Sequence, residues 1–264
     1  MVTKGLMRRL PAHRRWIPAL AGSCALAFGC APLYIAGNIT PYIISYRRSR
    51  GDDVTMAASG WLTGLGFGLP FISVVAGLLE QRLGARRTAL LGAAVSLLSL
   101  LCASVVLQHS FFGTLLAYAV VFGSSRTVLF NVAASTAVQW MPNRAGLASG
   151  VSSASLGVGG LLVAQLQSYV VNPENLLPED EDLYFTDPEL LDRVPRVLVW
   201  LALVTAAVDV FGLLFTWQPA DFADAYEPLE GDDSLSVASS SQPKGVRPAE
   251  AVKSATFWEG SHRL

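Results

Sequence analysis

Long stretches without charged residues constrain this 264-residue chain more than any other feature. No Asp, Glu, Lys or Arg occurs from Trp16 to Tyr46, or from Thr88 to Leu107. A surface helix of a water-soluble protein carries a polar face along its length, and these stretches have none. Charged residues make up 15% of the chain, whereas a soluble protein averages about 25%. The sequence therefore predicts an integral membrane protein.

Six apolar stretches are long enough to cross a bilayer, which takes about 20 residues per helix. They cover residues 16–40, 55–79, 88–107, 111–137, 145–171 and 197–217. We predict an all-α, polytopic membrane protein with a six-helix bundle over residues 16–217 and an acidic external loop at 172–196. A cytoplasmic segment, 1–15, precedes the bundle. The tail, 218–264, is rich in Ser and Pro and is predicted to be disordered, because it cannot bury enough apolar surface to fold.

Basic residues predict the orientation, since Lys and Arg accumulate on the cytoplasmic side. With the N-terminus inside, 13 of the 19 Lys and Arg residues lie in cytoplasmic segments, five lie outside and one, Arg126, lies within a span. Both termini are therefore predicted to be cytoplasmic. The plasma membrane is the default expectation for the location.

The sequence offers no pattern for enzymatic chemistry. Cys24, Cys30 and Cys102 lie in apolar stretches, where a free cysteine acts as a small hydrophobic residue. There is no phosphate-binding Gly-Lys-Ser/Thr loop, no paired His at metal spacing, and no Ser or Cys with a nearby base. A basic stripe typical of nucleic-acid binding is also missing. We expect no enzyme activity, no cofactor, no metal and no nucleic-acid partner.

Small residues recur at helical spacing in the second and fifth stretches. Such residues let helices approach closely in lipid, so they indicate packing faces, either general ones or faces that slide during transport. They are Gly60, Gly64, Gly68, Gly146, Gly150, Ala154, Gly157 and Gly160.

The connection between the second and third stretches carries a glycine, an acidic residue, a basic residue, a second glycine and a basic pair. These residues are Gly77, Glu80, Arg82, Gly84, Arg86 and Arg87. The pattern resembles the loop signature of the major facilitator superfamily, with Gln81 where the family has Asp. In that family the loop braces the inside gate. We expect its glycines to form a tight turn that presents guanidinium groups to helix ends and lipid phosphates.

Three further stretches, 33–43, 140–150 and 184–195, look like the oxalate/formate antiporter and monocarboxylate transporter branch of this superfamily. The resemblance implies twelve helices in two six-helix halves, of which this chain supplies the first. The expected partners are then the lipid bilayer and either a second six-helix half or a second copy of this chain. The implied function is secondary transport of small organic anions. The alternative is a non-transporting scaffold or regulator derived from a transporter half.

Two charged residues lie within predicted spans, where charge is costly and faces protein or water. Arg126 lies in the fourth span, which lines the cavity in the superfamily, and its guanidinium suits a carboxylate. It is therefore a candidate substrate-binding residue, with an internal ion pair as the alternative. Asp209 lies in the sixth span, which is peripheral in the family and kept apart from the fourth. We expect Asp209 to bond to a neighbouring helix.

Uncharged polar residues complete the set of candidates. Tyr34, Asn38 and Thr40 form a polar stripe at the end of the first span, and Asn131 follows Phe130 in the fourth. Buried polar groups need hydrogen-bond partners, which a substrate or a neighbouring helix can supply. Three tryptophans at span ends are expected to be interface anchors, namely Trp16, Trp140 and Trp217.

Overall fold

The computed structural model describes residues 10–11, 14–67, 71–178 and 184–219. Of the predicted N-terminal segment, 1–15, the structure describes residues 10, 11, 14 and 15, and of the predicted disordered tail, 218–264, it describes residues 218 and 219. The disorder of the tail and the side of the membrane on which each terminus lies stay predictions.

All regular structure in the described residues is helical. The α-helices are α1 (Trp16–Gly29), α2 (Ala31–Tyr34), α3 (Ala36–Ser49), α4 (Ser59–Phe67), α5 (Phe71–Leu83), α6 (Ala85–Val106), α7 (Phe111–Thr114), α8 (Gly123–Trp140), α9 (Ala145–Val171) and α10 (Pro188–Phe215). Short 3₁₀ turns cover Met56–Ala58 and Pro142–Arg144, and a π-helix, Leu115–Phe122, joins α7 to α8.

Within the described residues, six helical segments are long and apolar enough to cross a membrane. Spans 1 to 6 are Trp16–Tyr34, Met56–Leu83, Ala85–Val106, Phe111–Trp140, Pro142–Val171 and Pro188–Phe215. The predicted all-α, six-span membrane fold is confirmed.

Span 6 starts earlier than the sequence predicts. Its helix begins at Pro188 rather than at residue 197, so part of the predicted loop at 172–196 forms the first turns of α10. The Asp187 carboxylate caps this helix by accepting from the backbone N–H of Leu190 at 2.7 Å, and Pro188 occupies the first turn, where no N–H is needed. The predicted boundary followed hydropathy and missed these start signals.

Span 1 is a broken helix. Helix α1 ends at Gly29, α2 starts at Ala31 with Pro32 in its first turn, and α3 follows from Ala36 and contains Pro41. Proline lacks the N–H that would continue a helical ladder. The helical path nevertheless continues to Ser49, beyond the predicted end at residue 40.

Helix α1 lies at the centre of the bundle and packs against α8, α9 and α10, while α6 packs against α8 and α10. The close approach of α1 and α10 depends on Gly22 and Gly212. A Cβ on Gly22 would stand 3.0 Å from the Gly212 carbonyl oxygen.

The glycines predicted to form packing faces in spans 2 and 5 do not take part in the contact between α1 and α10. A Cβ at most of their described positions would meet no atom within 4 Å, so these faces of spans 2 and 5 are not packed within the six-span bundle. The open positions are Gly60, Gly64, Gly146, Gly150 and Gly157.

The two ends of the bundle differ in charge. At the end where span 1 begins, the described residues include six arginines and one acidic residue: Arg14, Arg15, Arg82, Arg86, Arg87, Arg144 and Glu80. Among the residues that the structure describes, the opposite end carries five arginines and six acidic residues. These are Arg47, Arg48, Arg50, Arg193, Arg196, Asp52, Asp53, Glu174, Asp187, Glu189 and Asp192.

Ion pairs offset part of the charge at that opposite end. Arg47 pairs with Asp52 at 2.7 Å, and Arg50 lies 3.9 Å from Asp192. The Arg47 guanidinium also donates to the Leu107 carbonyl at 2.9 Å, at the end of span 3. These basic residues outside the predicted cytoplasmic segments therefore have local partners.

Candidate functional site

A buried ion pair joins spans 4 and 6. The side chain of Arg126 is 0% exposed and that of Asp209 is 1% exposed. The Arg126 Nη1 lies 2.9 Å from each carboxylate oxygen of Asp209. The Nη2 donates to the Ser96 hydroxyl of span 3, and the Nε has no hydrogen-bond partner among the described residues. We call Arg126, Asp209 and Ser96 the buried centre.

Gly29 of span 1 provides the space for this ion pair. A Cβ at Gly29 would stand 2.6 Å from Asp209 Oδ1 and 3.2 Å from Arg126 Nη1. The next residue, Cys30, donates its thiol to the carbonyls of Leu26 and Arg126 at 3.2 and 3.3 Å. The pair thus lies directly against span 1, next to the position where α1 ends.

The buried centre corrects one expectation. The resemblance implied that the fourth and sixth helices are kept apart, yet their side chains meet beside Gly29. The internal ion pair was the alternative role for Arg126. The contacts of Arg126 with Asp209 in the structure are those of such a pair. Anion binding by Arg126 stays a prediction, and it would require this sealed pair to open.

An open polar face adjoins the buried centre. Tyr34 is 49% exposed, and its ring centroid lies 6.3 Å from that of Phe130 in span 4. Tyr34 is one turn from Cys30, and Phe130 is one turn from Arg126. Residues one turn apart lie on the same helix face. The aromatic pair therefore stands beside the buried centre.

Asn38 connects the open face to span 5. Its Nδ2 donates to Gln167 Oε1 at 3.1 Å and to the Ala164 carbonyl at 3.4 Å. Gln167 is 3% exposed, and its own Nε2 has no hydrogen-bond partner among the described residues. The sequence analysis missed Gln167, although an amide in a charge-free span is itself a usable signal.

The two other uncharged candidates differ. Asn131 is partly exposed, and its Nδ2 donates to the Thr127 carbonyl at 2.8 Å and to the Ser73 hydroxyl of span 2 at 3.3 Å. Thr40 is buried, and its hydroxyl donates to the Ala36 carbonyl of the same helix at 2.6 Å. The structure therefore places Tyr34, Asn38 and Asn131 on accessible positions but not Thr40. We call these three residues the open face.

The predicted gating loop contains one glycine turn rather than two. Gly84 precedes α6 and has φ of +83°. Residues other than glycine are disfavoured in this conformation. Gly77 instead lies within α5, because the helix continues to Leu83. The expected turn formed by both glycines is wrong at Gly77.

Glu80 connects span 2 to span 4. Both of its carboxylate oxygens accept from the Ser135 hydroxyl, at 2.7 and 2.9 Å, and Oε1 lies 3.5 Å from the Gln218 Nε2 donor. Ser135 was not predicted as a partner. Glu80, which directly precedes Gln81, thus links span 2 to span 4.

The basic residues of the same loop differ in their contacts. The Arg86 guanidinium carbon lies 3.9 Å from the ring centroid of Trp217, and the Trp140 Nε1 donates to the Trp217 carbonyl at 2.6 Å. Arg82 and Arg87 are exposed. The loop is therefore attached to the ends of spans 4 and 6.

Comparison with known proteins found a similarity to one named as a carrier. The chain is 28% identical over 243 residues to "Apicoplast pyruvate carrier 1" of Toxoplasma gondii, and the match covers 72% of the chain and 44% of the carrier. The chain thus spans less than half the length of this relative. No protein-family model matches the sequence. The six apolar spans of the described residues fit a multi-pass membrane protein.

Proposed function

We propose that the six spans form one half of a secondary carrier for small monocarboxylates, of the major facilitator type, with pyruvate as the first substrate to test. The observation that carries this proposal is the open face, which lies on a six-span bundle similar to a pyruvate carrier. Transport of oxalate or formate belongs to the same proposal, and rests on the motif resemblance alone.

The chemistry of the open face suits a small carboxylate. The open face carries the Tyr34 hydroxyl and the amides of Asn38 and Asn131, groups that can donate to carboxylate or keto oxygens. Both asparagine Nδ2 groups donate to protein acceptors in this structure, so a bound carboxylate would take the place of those acceptors. The neighbouring Phe130 ring offers an apolar surface for a short carbon chain. Uncharged donors give orientation and selectivity, while most of the attraction for an anion must come from a cation.

That cation is proposed to come from a second bundle. In the buried centre, Arg126 is already paired with Asp209, so the open face of this bundle has no unpaired cation among the described residues. The resemblance assigns the substrate-binding basic residues of the oxalate/formate branch to the second half. A second six-helix bundle, or a second copy of this chain, would pack on the open glycine positions of spans 2 and 5, where close helix approach is possible.

The test is pyruvate uptake by proteoliposomes that contain the full chain, with cysteines introduced at Gly64 and Gly150 to detect a packed second bundle. We expect saturable uptake, competed by lactate, only in preparations in which these cysteines crosslink. Crosslinked bundles that neither bind nor take up any monocarboxylate would contradict the proposal and favour the scaffold alternative. Formate and oxalate in the same assay test the finer assignment.

The cellular membrane needs its own experiment. The name of the relative refers to an organelle, the apicoplast, whereas the plasma membrane was the default expectation. Localisation of a tagged full chain against organelle and surface markers separates the two.

A further inference from the structure

A cavity of about 480 Å³ lies where span 1 begins, span 4 ends and span 5 begins. Six of the lining residues matter here. Span 1 contributes Trp16 and Leu20, span 4 contributes Trp140, and span 5 contributes Arg144, Leu147 and Val151. The cavity is separate from the buried centre and from the open face. The proposed transport does not use it, and it shares Trp140 with the contacts of the predicted gating loop.

The lining changes from polar to apolar with depth. Tryptophans at span ends mark the membrane–water interface, so Trp16, Trp140 and the rim residue Arg144 lie at headgroup level. Val151 lies two turns further along α9, about 10 Å deeper at 1.5 Å per residue. A phospholipid has the same gradient, with a phosphate at the interface and an acyl chain below it.

The polar rim is cationic. Arg144 is exposed and has neither an ion pair nor a side-chain hydrogen bond among the described residues. It lies at the end of the bundle where the residues that the structure describes include six arginines and a single acid, Glu80. The Trp140 Nε1 donates to the Trp217 carbonyl, so the indole ring contributes an apolar surface to the cavity. A guanidinium without a partner, above an apolar slot, fits a phosphate that carries an acyl chain.

We propose that this cavity binds one anionic phospholipid, with its phosphate at Arg144 and an acyl chain against Leu20, Leu147 and Val151. The site does not depend on the proposed transport function. It would hold the starts of spans 1 and 5 together and make the stability of the bundle depend on lipid charge.

The test is native mass spectrometry of the purified full chain, titrated with phosphatidylglycerol or with phosphatidylcholine of the same acyl chains. We expect tighter binding of one phosphatidylglycerol, and we expect Arg144→Ala to weaken it about five-fold, since a basic residue near anionic lipid contributes about 1 kcal/mol. Arg144→Lys should retain part of this preference. Val151→Trp, which fills the apolar end, should weaken both lipids.

Arg14→Ala is the matched control, because Arg14 is an exposed arginine at the same end that neither lines the cavity nor belongs to the predicted gating loop. Equal losses in Arg14→Ala and Arg144→Ala would mean general surface attraction and would overturn the proposal. It would also be overturned if phosphatidylcholine bound equally well, or if inorganic phosphate at the same concentration displaced the lipid, since the acyl chain would then contribute nothing.

Discussion

The buried centre and the open face each take one residue from span 4, Arg126 and Asn131, but they hold polar groups in opposite ways. In the buried centre, Arg126 is sealed and its charge is matched by Asp209. On the open face, Tyr34 and Asn131 are uncharged and partly accessible. A charge within the membrane is too costly to leave without a partner, whereas an amide or phenol costs less. The comparison suggests that the buried centre holds the helices in place and that the open face is the part available to a ligand.

The largest effect should come from breaking the buried pair. Arg126→Ala and Asp209→Ala each leave a buried charge without its partner, which costs about 3–5 kcal/mol. We expect low folded yield and a strongly lowered midpoint of thermal unfolding in detergent for both variants. Arg87→Ala, at an exposed position, is the control. Normal yield and midpoint in Arg126→Ala would remove the distinction between the two regions.

Gly29→Ala should destabilise the same centre without changing any charge. The added Cβ would stand 2.6 Å from Asp209 Oδ1, and overpacking of this kind costs about 1–3 kcal/mol. Gly37→Ala, in the neighbouring helix α3, is the matched control, since a Cβ there meets nothing within 4 Å. The thermal midpoint should fall for Gly29→Ala only. Equal midpoints for the two variants would show that the pair does not depend on this space.

A polar contact outside the buried centre should matter less. Ser135→Ala removes the hydroxyl that donates to Glu80, and one such bond contributes about 1 kcal/mol. We expect a small drop in thermal midpoint. Ser155→Ala, whose hydroxyl only donates within its own helix, should leave the midpoint unchanged. A larger drop for Ser155→Ala would count against the contact between spans 2 and 4.

On the open face the effect should appear in binding rather than in folding. Tyr34→Phe removes the hydroxyl of a half-exposed side chain, so pyruvate affinity should fall about five-fold, the equivalent of about 1 kcal/mol for one hydrogen bond. Thr40→Val should leave the affinity unchanged, because the Thr40 hydroxyl already donates to Ala36. Equilibrium binding of labelled pyruvate to the assembled carrier measures both. Loss of affinity in Thr40→Val alone would reverse the assignment.

The sequence predicted the features that depend on local composition. The six apolar stretches were sufficient to predict the six spans. The cost of a charge in lipid was sufficient to identify Arg126 and Asp209 as residues that need a partner. The pairing of these two residues was not predictable from spacing. It depends on the length of an arginine side chain and on the missing Cβ of Gly29, a residue that no local pattern singled out. The same holds for Ser135, whose role depends on which helices are neighbours.

Pyruvate affinity in the double variant Arg126→Gln with Asp209→Asn tests the central claim most directly. Both charges are removed together, so no unpaired charge remains buried, and the variant should fold much better than either single alanine variant. If the buried centre is structural and the open face binds the anion, the folded double variant keeps the pyruvate affinity of the unaltered protein. A folded double variant that no longer binds pyruvate would contradict the account and assign the anion to Arg126.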